Sequence, residues 1–403
     1  MKILMVNKFL NRAGGAETYM INLGDYLASL GHKVEYFGMD SEDRCVSNSI
    51  NCYTDTVNFR NSDAVAKIKY SLKSIYSKEA ESKIEQVIKD FKPDIVHLNN
   101  INFQLTPSVI YAIKKFNIPI VQTVHDVQIA CPNHRMYNEQ TEKICDICKN
   151  KKYLNCIKNK CVHGSTLKSA AAALESYYYH KRDTYNLVDC YICPSRFMAE
   201  TIEAAGVHKN KLNVIHNFAL EQVNLEPKDK SEKYILYFGR LSVEKGIKTL
   251  LEVCKELNEI HFVFAGTGPL SDLCKIISNI NCVGFKSGDE LNRLIRNAAF
   301  SVYPSEWYEN CPMSILESIS LGTPVLCSDL GGSKELVVPG RTGEIFKAYD
   351  KADLIRKIKA LYNNTELLEK MSKICEMQNE NTINQYANKV ISIYENLIEE
   401  KKW

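Results

Sequence analysis

The sequence predicts an α/β protein built from two doubly wound domains in tandem. Short apolar runs alternate with longer stretches of helical period, the alternation falls into two separate series, and each series opens on a strand followed by a glycine turn. A chain of 403 residues also exceeds the ~250–300 residues at which one core usually divides.

In the first series, strands are expected at Lys2–Val6, Lys33–Phe37, Ile95–Leu98, Ile120–Thr123 and Cys190–Cys193. Helical period fills Glu17–Leu30, where Leu23, Leu27 and Leu30 share a face and Gly31 suits a C-cap, and returns at Ser82–Phe91. The second series runs through Tyr234–Phe238, His261–Ala265, Asn281–Val283, Ser301–Tyr303 and Val325–Ser328. Polar, aperiodic Ala219–Lys233 lies between them, which places the boundary near Asn217 and gives domains of 1–217 and 218–382. The last helical pattern, Ile383–Trp403, carries an apolar face and is expected to complete the first domain. No repeat of 20–50 residues is visible.

Composition narrows the function. Apolar residues make up 45% and charged residues 25%, the proportions of a globular chain rather than a disordered or fibrous one. A net charge of +3 is too small to suggest a nucleic-acid partner. No apolar run approaches the ~20 residues of a spanning helix, and Met1-Lys-Ile-Leu leads straight into a strand rather than a signal peptide. A cytoplasmic protein is therefore expected, its 15 cysteines reduced and not a disulfide framework.

The glycine turns exclude two large classes. Asn11-Arg-Ala-Gly-Gly-Ala-Glu17 is not G-x-G-x-x-G, and no G-x-x-x-x-G-K-S/T occurs, which argues against dinucleotide dehydrogenases and P-loop NTPases. Without any D-x-D pair, a bound nucleotide diphosphate would have to be met by cationic side chains and helix N-termini. The densest constellation is Tyr303-Pro-Ser-Glu-Trp-Tyr-Glu-Asn-Cys-Pro-Met-Ser-Ile-Leu-Glu-Ser318. Pro312 suits a first helical turn, which puts Glu309 in the preceding loop and Glu317 inside the helix. A carboxylate beside free helix N–H groups suits a sugar attached to a phosphate; the same spacing also fits a capped surface helix with two solvated acids.

These residues resemble the E-x7-E signature of the retaining glycosyltransferases of family GT4, which have the GT-B fold. Other segments fall in that family's order: Gly14-Gly15-Ala16-Glu17, Thr123-Val-His-Asp126, Pro194-Ser195, Phe238-Gly239-Arg240 through Lys245-Gly246, Gly266-x-Gly268 and Gly331-Gly332. Asn310-Cys311 departs from the Phe-Gly that often follows the first acid. The resemblance implies two Rossmann-like domains facing across a cleft. Arg240 and Lys245 then hold the donor diphosphate, opposite the acid-flanked turn. It further implies that Glu317 binds the ribose, Glu309 the donor sugar, and backbone N–H groups of Asn310, Cys311, Met313 and Ser314 the sugar or phosphate. Gly14, Gly15, Ala16 and Gly239 bring backbone close to the donor, and His125 contacts the donor sugar. The implied activity is metal-independent transfer from a UDP-linked rather than GDP-linked sugar to a glycan or lipid-linked glycan in surface polysaccharide synthesis. A small soluble acceptor, as in sucrose- or trehalose-type transferases, and a non-catalytic sugar-nucleotide binder are the alternatives.

One segment departs from a bare two-domain plan. Cys145, Cys148, Cys156 and Cys161 read C-x2-C-x7-C-x4-C, which suits structural Zn2+, with Cys131, His134 and His163 as competing ligands. Unligated thiols fit as well. Residues 133–168 hold eight basic and three acidic side chains, and Lys149, Lys151, Lys152, Lys158 and Lys160 form a basic patch. The patch suits either a solvated loop or peripheral contact with anionic lipid at the inner face of a membrane.

Overall fold

The computed structural model describes residues 1–12, 14–55, 73–219, 228–229, 231–377 and 382–401. Residues 220–227 of the expected linker, and Trp403 at the end of the expected terminal helix, lie outside them. Contacts divide the chain into two units: 1–141 with 145–216 and 383–403, and 142–144 with 217–382.

The apolar runs of the first unit form β1 (Lys2–Val6), β2 (Lys33–Phe37), β3 (Ile95–Leu98), β4 (Ile120–Thr123), β5 (Cys190–Cys193) and β6 (Leu212–Val214). They make a parallel sheet in the order β2-β1-β3-β4-β5-β6. β3, β4 and β5 are buried at every residue, as a parallel sheet covered on both faces requires. Between strands run α1 (Gly15–Ser29), α2 (Lys78–Phe91), α3 (Ser108–Lys114), α4 (Thr166–Lys181) and α5 (Arg196–Ala204). Their starts follow local chemistry: the hydroxyls of Ser77, Ser165 and Ser195 accept the N–H of Ala80, Lys168 and Met198.

The second unit contains β7 (Ile235–Phe238), α6 (Ile247–Glu256), β8 (Phe262–Ala265), β9 (Ile280–Gly284), α7 (Gly288–Asn297) and β10 (Phe300–Tyr303). It continues with α8 (Met313–Ser320), β11 (Val325–Ser328), β12 (Gly343–Phe346), α9 (Lys351–Tyr362) and α10 (Thr365–Met377). Its strands are parallel in the order β9-β8-β7-β10-β11-β12. The chain therefore winds outward from β7 through β9, then returns to the other side of β7 with β10. That reversal leaves a crevice beyond the C-terminal ends of β7 and β10, where open α/β sheets bind ligands.

The terminal helix α11 (Ile383–Glu400) belongs to the first unit and buries Tyr386, Val390 and Tyr394 there. Its tyrosines enter a buried polar chain. The Tyr386 hydroxyl is 2.6 Å from that of Tyr19, which is 3.0 Å from Thr123 Oγ1, and Thr123 lies 2.7 Å from His97 Nε2. Tyr394 closes the chain with a short bond to His97 Nδ1. Burial pushes the His97 imidazole down to about 3, with His125 nearby adding to the effect, so the ring is neutral and serves only as a hydrogen-bonding group. Tyr394→Phe orphans a buried ring nitrogen. The expected cost is roughly 1–3 kcal/mol in a urea melt, against near-zero for a conservative exchange on the exposed face of α11.

Candidate active site

Glycines at the ends of the second unit's strands let its loops approach each other closely. Gly246, the N-cap of α6, has φ +71°, and a Cβ there would lie 1.8 Å from the carbonyl oxygen of Pro304 just beyond β10. Gly331, with φ +58°, would place a Cβ 2.3 Å from the carbonyl oxygen of Glu309. Its neighbour Gly332 donates its N–H to that same oxygen at 2.8 Å. Only glycine fits both positions, by conformation and by space. The turn after β7 is thereby held against the loop after β10, and that loop against the turn after β11.

Lys245 and Glu309 meet inside this frame. The Lys245 ammonium donates to Glu309 Oε1 at 2.6 Å, and Ser305 Oγ donates to the same oxygen at 2.9 Å. Ser305 is anchored in turn by the Ser328 hydroxyl on its carbonyl, at 2.7 Å. The lysine also stands over the Trp307 ring, 5.2 Å from its centroid. Burial alone would raise the Glu309 carboxyl, but the Lys245 charge, with lesser help from Trp307 and Ser305, holds it below its ordinary value. Glu309 is 8% exposed, and its acid is ionised and fixed.

The other residues expected at the donor site are distributed around this pair. Arg240 is exposed, its carbonyl accepts the Tyr237 hydroxyl at 2.7 Å, and among the described residues nothing pairs with its guanidinium. Ser242, between the two cations, is buried with a hydroxyl that finds no partner among the described residues. Glu317 lies in α8, where burial raises its carboxyl above the ordinary value. Helix α8 begins at Met313 with Pro312 as its N-cap, one residue later than expected. Cys311 turns into the core, and its sulfur and carbonyl both accept from Asn217 at 3.4 Å. Met313 packs partly on the same core, and the Ser314 carbonyl accepts the Tyr303 hydroxyl at 3.0 Å.

In the first unit, Gly14 caps α1 and would crowd Glu17 Oε2 at 2.9 Å if it carried a Cβ, whereas a Cβ at Gly15 would meet nothing within 4 Å. Ala16 follows in the first turn of α1. His125 follows β4, with Nε2 2.9 Å from Asn99 Oδ1 and its ring 4.8 Å from that of Tyr19 in an edge-on contact. Burial pushes the imidazole down to about 3, so it is neutral.

Sequence and fold now decide the family. Residues 13–219 match the family described as Glycosyltransferase Family 4, and 220–376 match that described as Glycosyl transferases group 1. The chain belongs to glycosyltransferase family 4. It is similar to an uncharacterised 42.6 kDa protein of the cps region of Klebsiella pneumoniae, 25% identical over 354 residues, 83% of this chain and 87% of the relative. Its fold is similar to sucrose-phosphate synthase from Thermosynechococcus elongatus, with TM-score 0.73, 16% identity and 99% of each chain covered. It is similar also to Anabaena HepE in complex with UDP, with TM-score 0.69, 15% identity, and 98% and 100% covered. The protein is thus a glycosyltransferase with the two Rossmann-like domains of the GT-B fold.

One expectation for this family 4 enzyme changes. Lys245 does not stand opposite the acid-flanked turn but is ion-paired with Glu309 inside one unit, because the Gly246 approach brings the two loops together. Of the thiols Cys145, Cys148, Cys156 and Cys161, Cys148 and Cys156 are buried in one small core, and Cys161 packs against it. Cys156 is 1% exposed and packed among Tyr153, Val162, Ala172 and Ala173. Among the described residues no three Cys, His, Asp or Glu side chains stand together as metal ligands do. Ser305, Trp307 and Ser242 escaped the sequence reading although Pro304-Ser-Glu-Trp lies within the quoted motif; their part depends on which way each side chain turns, which spacing does not encode.

The ion pair has a measurable consequence for stability. Lys245→Met leaves a buried acid without its cation and is expected to cost roughly 2–4 kcal/mol by urea titration. Adding Glu309→Gln to Lys245→Met is expected to recover a large part of that loss, which identifies the unpaired charge as its source.

Proposed function

We propose that this family 4 transferase moves a sugar, with retention, from a UDP-linked donor to a glycan or lipid-linked glycan acceptor in surface polysaccharide synthesis. The observation that carries the proposal is the Lys245–Glu309 pair at the crevice where the second sheet's winding reverses. A donor diphosphate meets cations there: Lys245, with N–H donors left after serving Glu309, and Arg240, exposed in the same turn. These charges stabilise the pyrophosphate as it departs, which is the step electrostatic catalysis assists most. Glu309, fixed and ionised, accepts from sugar hydroxyls, and Glu317 accepts from the ribose. The first unit carries the acceptor and the second the donor. His125, held neutral, is a hydrogen-bonding group for the donor sugar. No metal is called for at the diphosphate.

The cps-region relative and the UDP bound in the HepE structure support the polysaccharide and UDP parts of this reading. A thermal-shift and hydrolysis screen of UDP-, GDP-, ADP- and TDP-sugars tests it. A UDP-sugar is expected to raise Tm and turn over. Glu317→Ala is expected to weaken nucleotide binding about tenfold or more, and Lys245→Ala to slow turnover ~10²-fold, in the range for loss of a transition-state donor. No shift with any activated sugar overturns the proposal. The acid at 317 also sets a pH limb. Its carboxyl keeps its proton to higher pH than usual, and the protonated form is the poorer acceptor. Donor affinity should therefore fall as pH drops through that raised value, and the limb should vanish in Glu317→Gln.

The proposed lipid-linked acceptor fits a surface of the first unit. Lys149, Lys151, Lys152, Lys158, Lys160 and Lys168 are exposed, and among them stand Ile147, Leu154 and Leu167 with side chains in solvent, Leu154 57% exposed. Leu174, 56% exposed, continues the apolar positions along α4. Apolar side chains ringed by lysines suit insertion into an anionic bilayer surface. No described helix is long and apolar enough to cross a membrane. Sedimentation with anionic vesicles but not with zwitterionic ones is expected, and charge reversal at Lys151, Lys152, Lys158 and Lys160 should abolish it. Equal sedimentation with both vesicle types removes the charge-based contact.

A further inference from the structure

The first sheet reverses its winding as the second does. The chain runs from β1 to β2 and returns to the other side of β1 with β3, so a crevice lies beyond the C-terminal ends of β1 and β3 as well. Lys8 follows β1, Asn99 to Asn102 follow β3, and Asp126 follows β4, the next strand of the sheet. Backbone bonds tie these loops together. The Lys8 N–H donates to the Asn100 carbonyl at 2.8 Å, the Asn100 N–H to Asn7 Oδ1 at 2.8 Å, and the Met39 N–H to the Lys8 carbonyl at 3.0 Å.

Three side chains form a relay at this place. The Lys8 ammonium donates to Asn102 Oδ1 at 2.6 Å, and the Asn102 amide donates to Asp126 Oδ2 at 2.6 Å. The Gln128 N–H donates to Asp126 Oδ1 at 2.9 Å. An ammonium only donates and a carboxylate only accepts, so one orientation of the Asn102 amide serves both. Asn102 is buried, whereas Lys8 and Asp126 are half-buried. The amide between them keeps the cation and the acid from neutralising each other directly, as Lys245 and Glu309 do. Lys8 therefore keeps two N–H donors, and each Asp126 oxygen keeps a lone pair. Beside the relay the His134 ring stacks on Phe103, with centroids 4.3 Å apart. His134 is 7% exposed, and its Nδ1 finds no partner among the described residues. The Lys8 charge adds to burial in pushing that imidazole down to about 3, so the ammonium and a neutral ring share this corner. A cation, an acid and an orphan ring nitrogen thus stand together, and the donor chemistry proposed above uses none of them.

We propose that Lys8 and Asp126, positioned by Asn102, form the acceptor subsite, and that the sugar bound there carries a phosphate. Asp126 accepts from hydroxyls of that sugar. Lys8 holds the phosphate as a point charge, giving its two remaining N–H donors to divergent phosphate oxygens. A sugar phosphate has this chemistry whether it is free or esterified to a lipid. The inference rests on the reading that the first unit carries the acceptor, and it adds which residues bind it and what charge it brings.

Calorimetric titration of the whole protein with glucose 1-phosphate and with methyl glucoside tests the subsite by binding alone, without donor turnover. Glucose 1-phosphate is expected to bind about tenfold tighter, the worth of a charge-assisted hydrogen bond. Lys8→Met should remove that preference and Lys8→Arg, which keeps the charge, should retain it. Asp126→Asn should weaken both probes. Lys33→Met, at the start of β2 and so at the other end of the sheet, should change neither. The preference is a ratio within one variant, so a loss of folded protein does not move it. Farnesyl phosphate in the same titration separates the sources: tighter binding than glucose 1-phosphate points to a lipid-borne phosphate, weaker binding to a free one. No preference for glucose 1-phosphate in the unsubstituted protein overturns the proposal, and that result needs no variant to fold. A preference that survives in Lys8→Met but vanishes in Lys245→Ala overturns it too, by placing the phosphate at the donor crevice. The two readings fail separately, because the absence of any shift with activated sugars strikes the donor assignment and leaves this ratio to be read by itself.

Discussion

The second unit is organised around one buried charge, the carboxylate of Glu309. A carboxylate at 8% exposure costs several kcal/mol unless it is paired and hydrogen-bonded. Lys245 and Ser305 meet that requirement on a single oxygen. The lysine side chain keeps 27% of its surface open while the acid keeps 11%. An ammonium has three N–H donors, so a lysine that gives one to the carboxylate still presents two outward. The pair is therefore asymmetric: the acid is committed to the protein and the cation is shared. Such a lysine is pre-oriented for an anion with little side-chain entropy left to lose, which is how a charged group assists a transition state without reorganising during it.

Backbone geometry makes that pairing possible. Gly246 and Gly331 sit where a methyl group would collide with carbonyl oxygens of Pro304 and Glu309. They belong to loops leaving β7 and β11, and Glu309 belongs to the loop leaving β10. β7 and β10 are neighbours in the sheet yet distant in sequence, separated by β8 and β9. The winding order thus determines which loops can meet, and the glycines determine how closely. A fold of this kind concentrates polar chemistry beyond the strand ends because the strands themselves, buried on both faces, have no room for it.

This division explains what was legible in the sequence. β1 through β5 fall at the expected residues because each is a strand-length stretch built on Val, Ile, Leu, Tyr or Phe. β6 and β12 went unseen: Leu212–Val214 is a three-residue edge strand with two exposed positions, and Gly343–Phe346 carries a glutamate among partly buried residues. The motif residues 240, 245, 309 and 317 could be read by resemblance, since their spacing survives in one dimension. Their partners could not. Nothing in the spacing distinguishes a Lys245 aimed at a ligand from one bonded to Glu309, or a Cys311 offered to a donor from one turned into the core.

The electrostatics also bear on where the acceptor's proton goes. A side-chain base needs a protonatable group with a value near neutrality and a free lone pair. His125 is held down to about 3 and has its Nε2 next to Asn99 Oδ1, so it is a weak base with one nitrogen already engaged. Glu309 is held below its ordinary value by Lys245, which makes it a weaker base than a free carboxylate and a poor nucleophile in a salt bridge. Of the pair Glu309 and Glu317, Glu317 is the acid pushed upward, but it sits within α8, where the family resemblance assigns it to the ribose rather than to the reacting carbon. With these three set aside, the departing diphosphate is the strongest base that the proposed reaction itself supplies. An acceptor hydroxyl that hands its proton to that leaving group attacks from the leaving group's own face, which is the stereochemical course of retention. In the proposed reaction, cations at the diphosphate lower its basicity as they assist its departure, so Lys245 and Arg240 would have to stabilise it enough to depart and not so much that it cannot take the proton. Lys245, whose ammonium is already paired with the buried Glu309 carboxylate, would then offer the diphosphate less than a full unpaired charge.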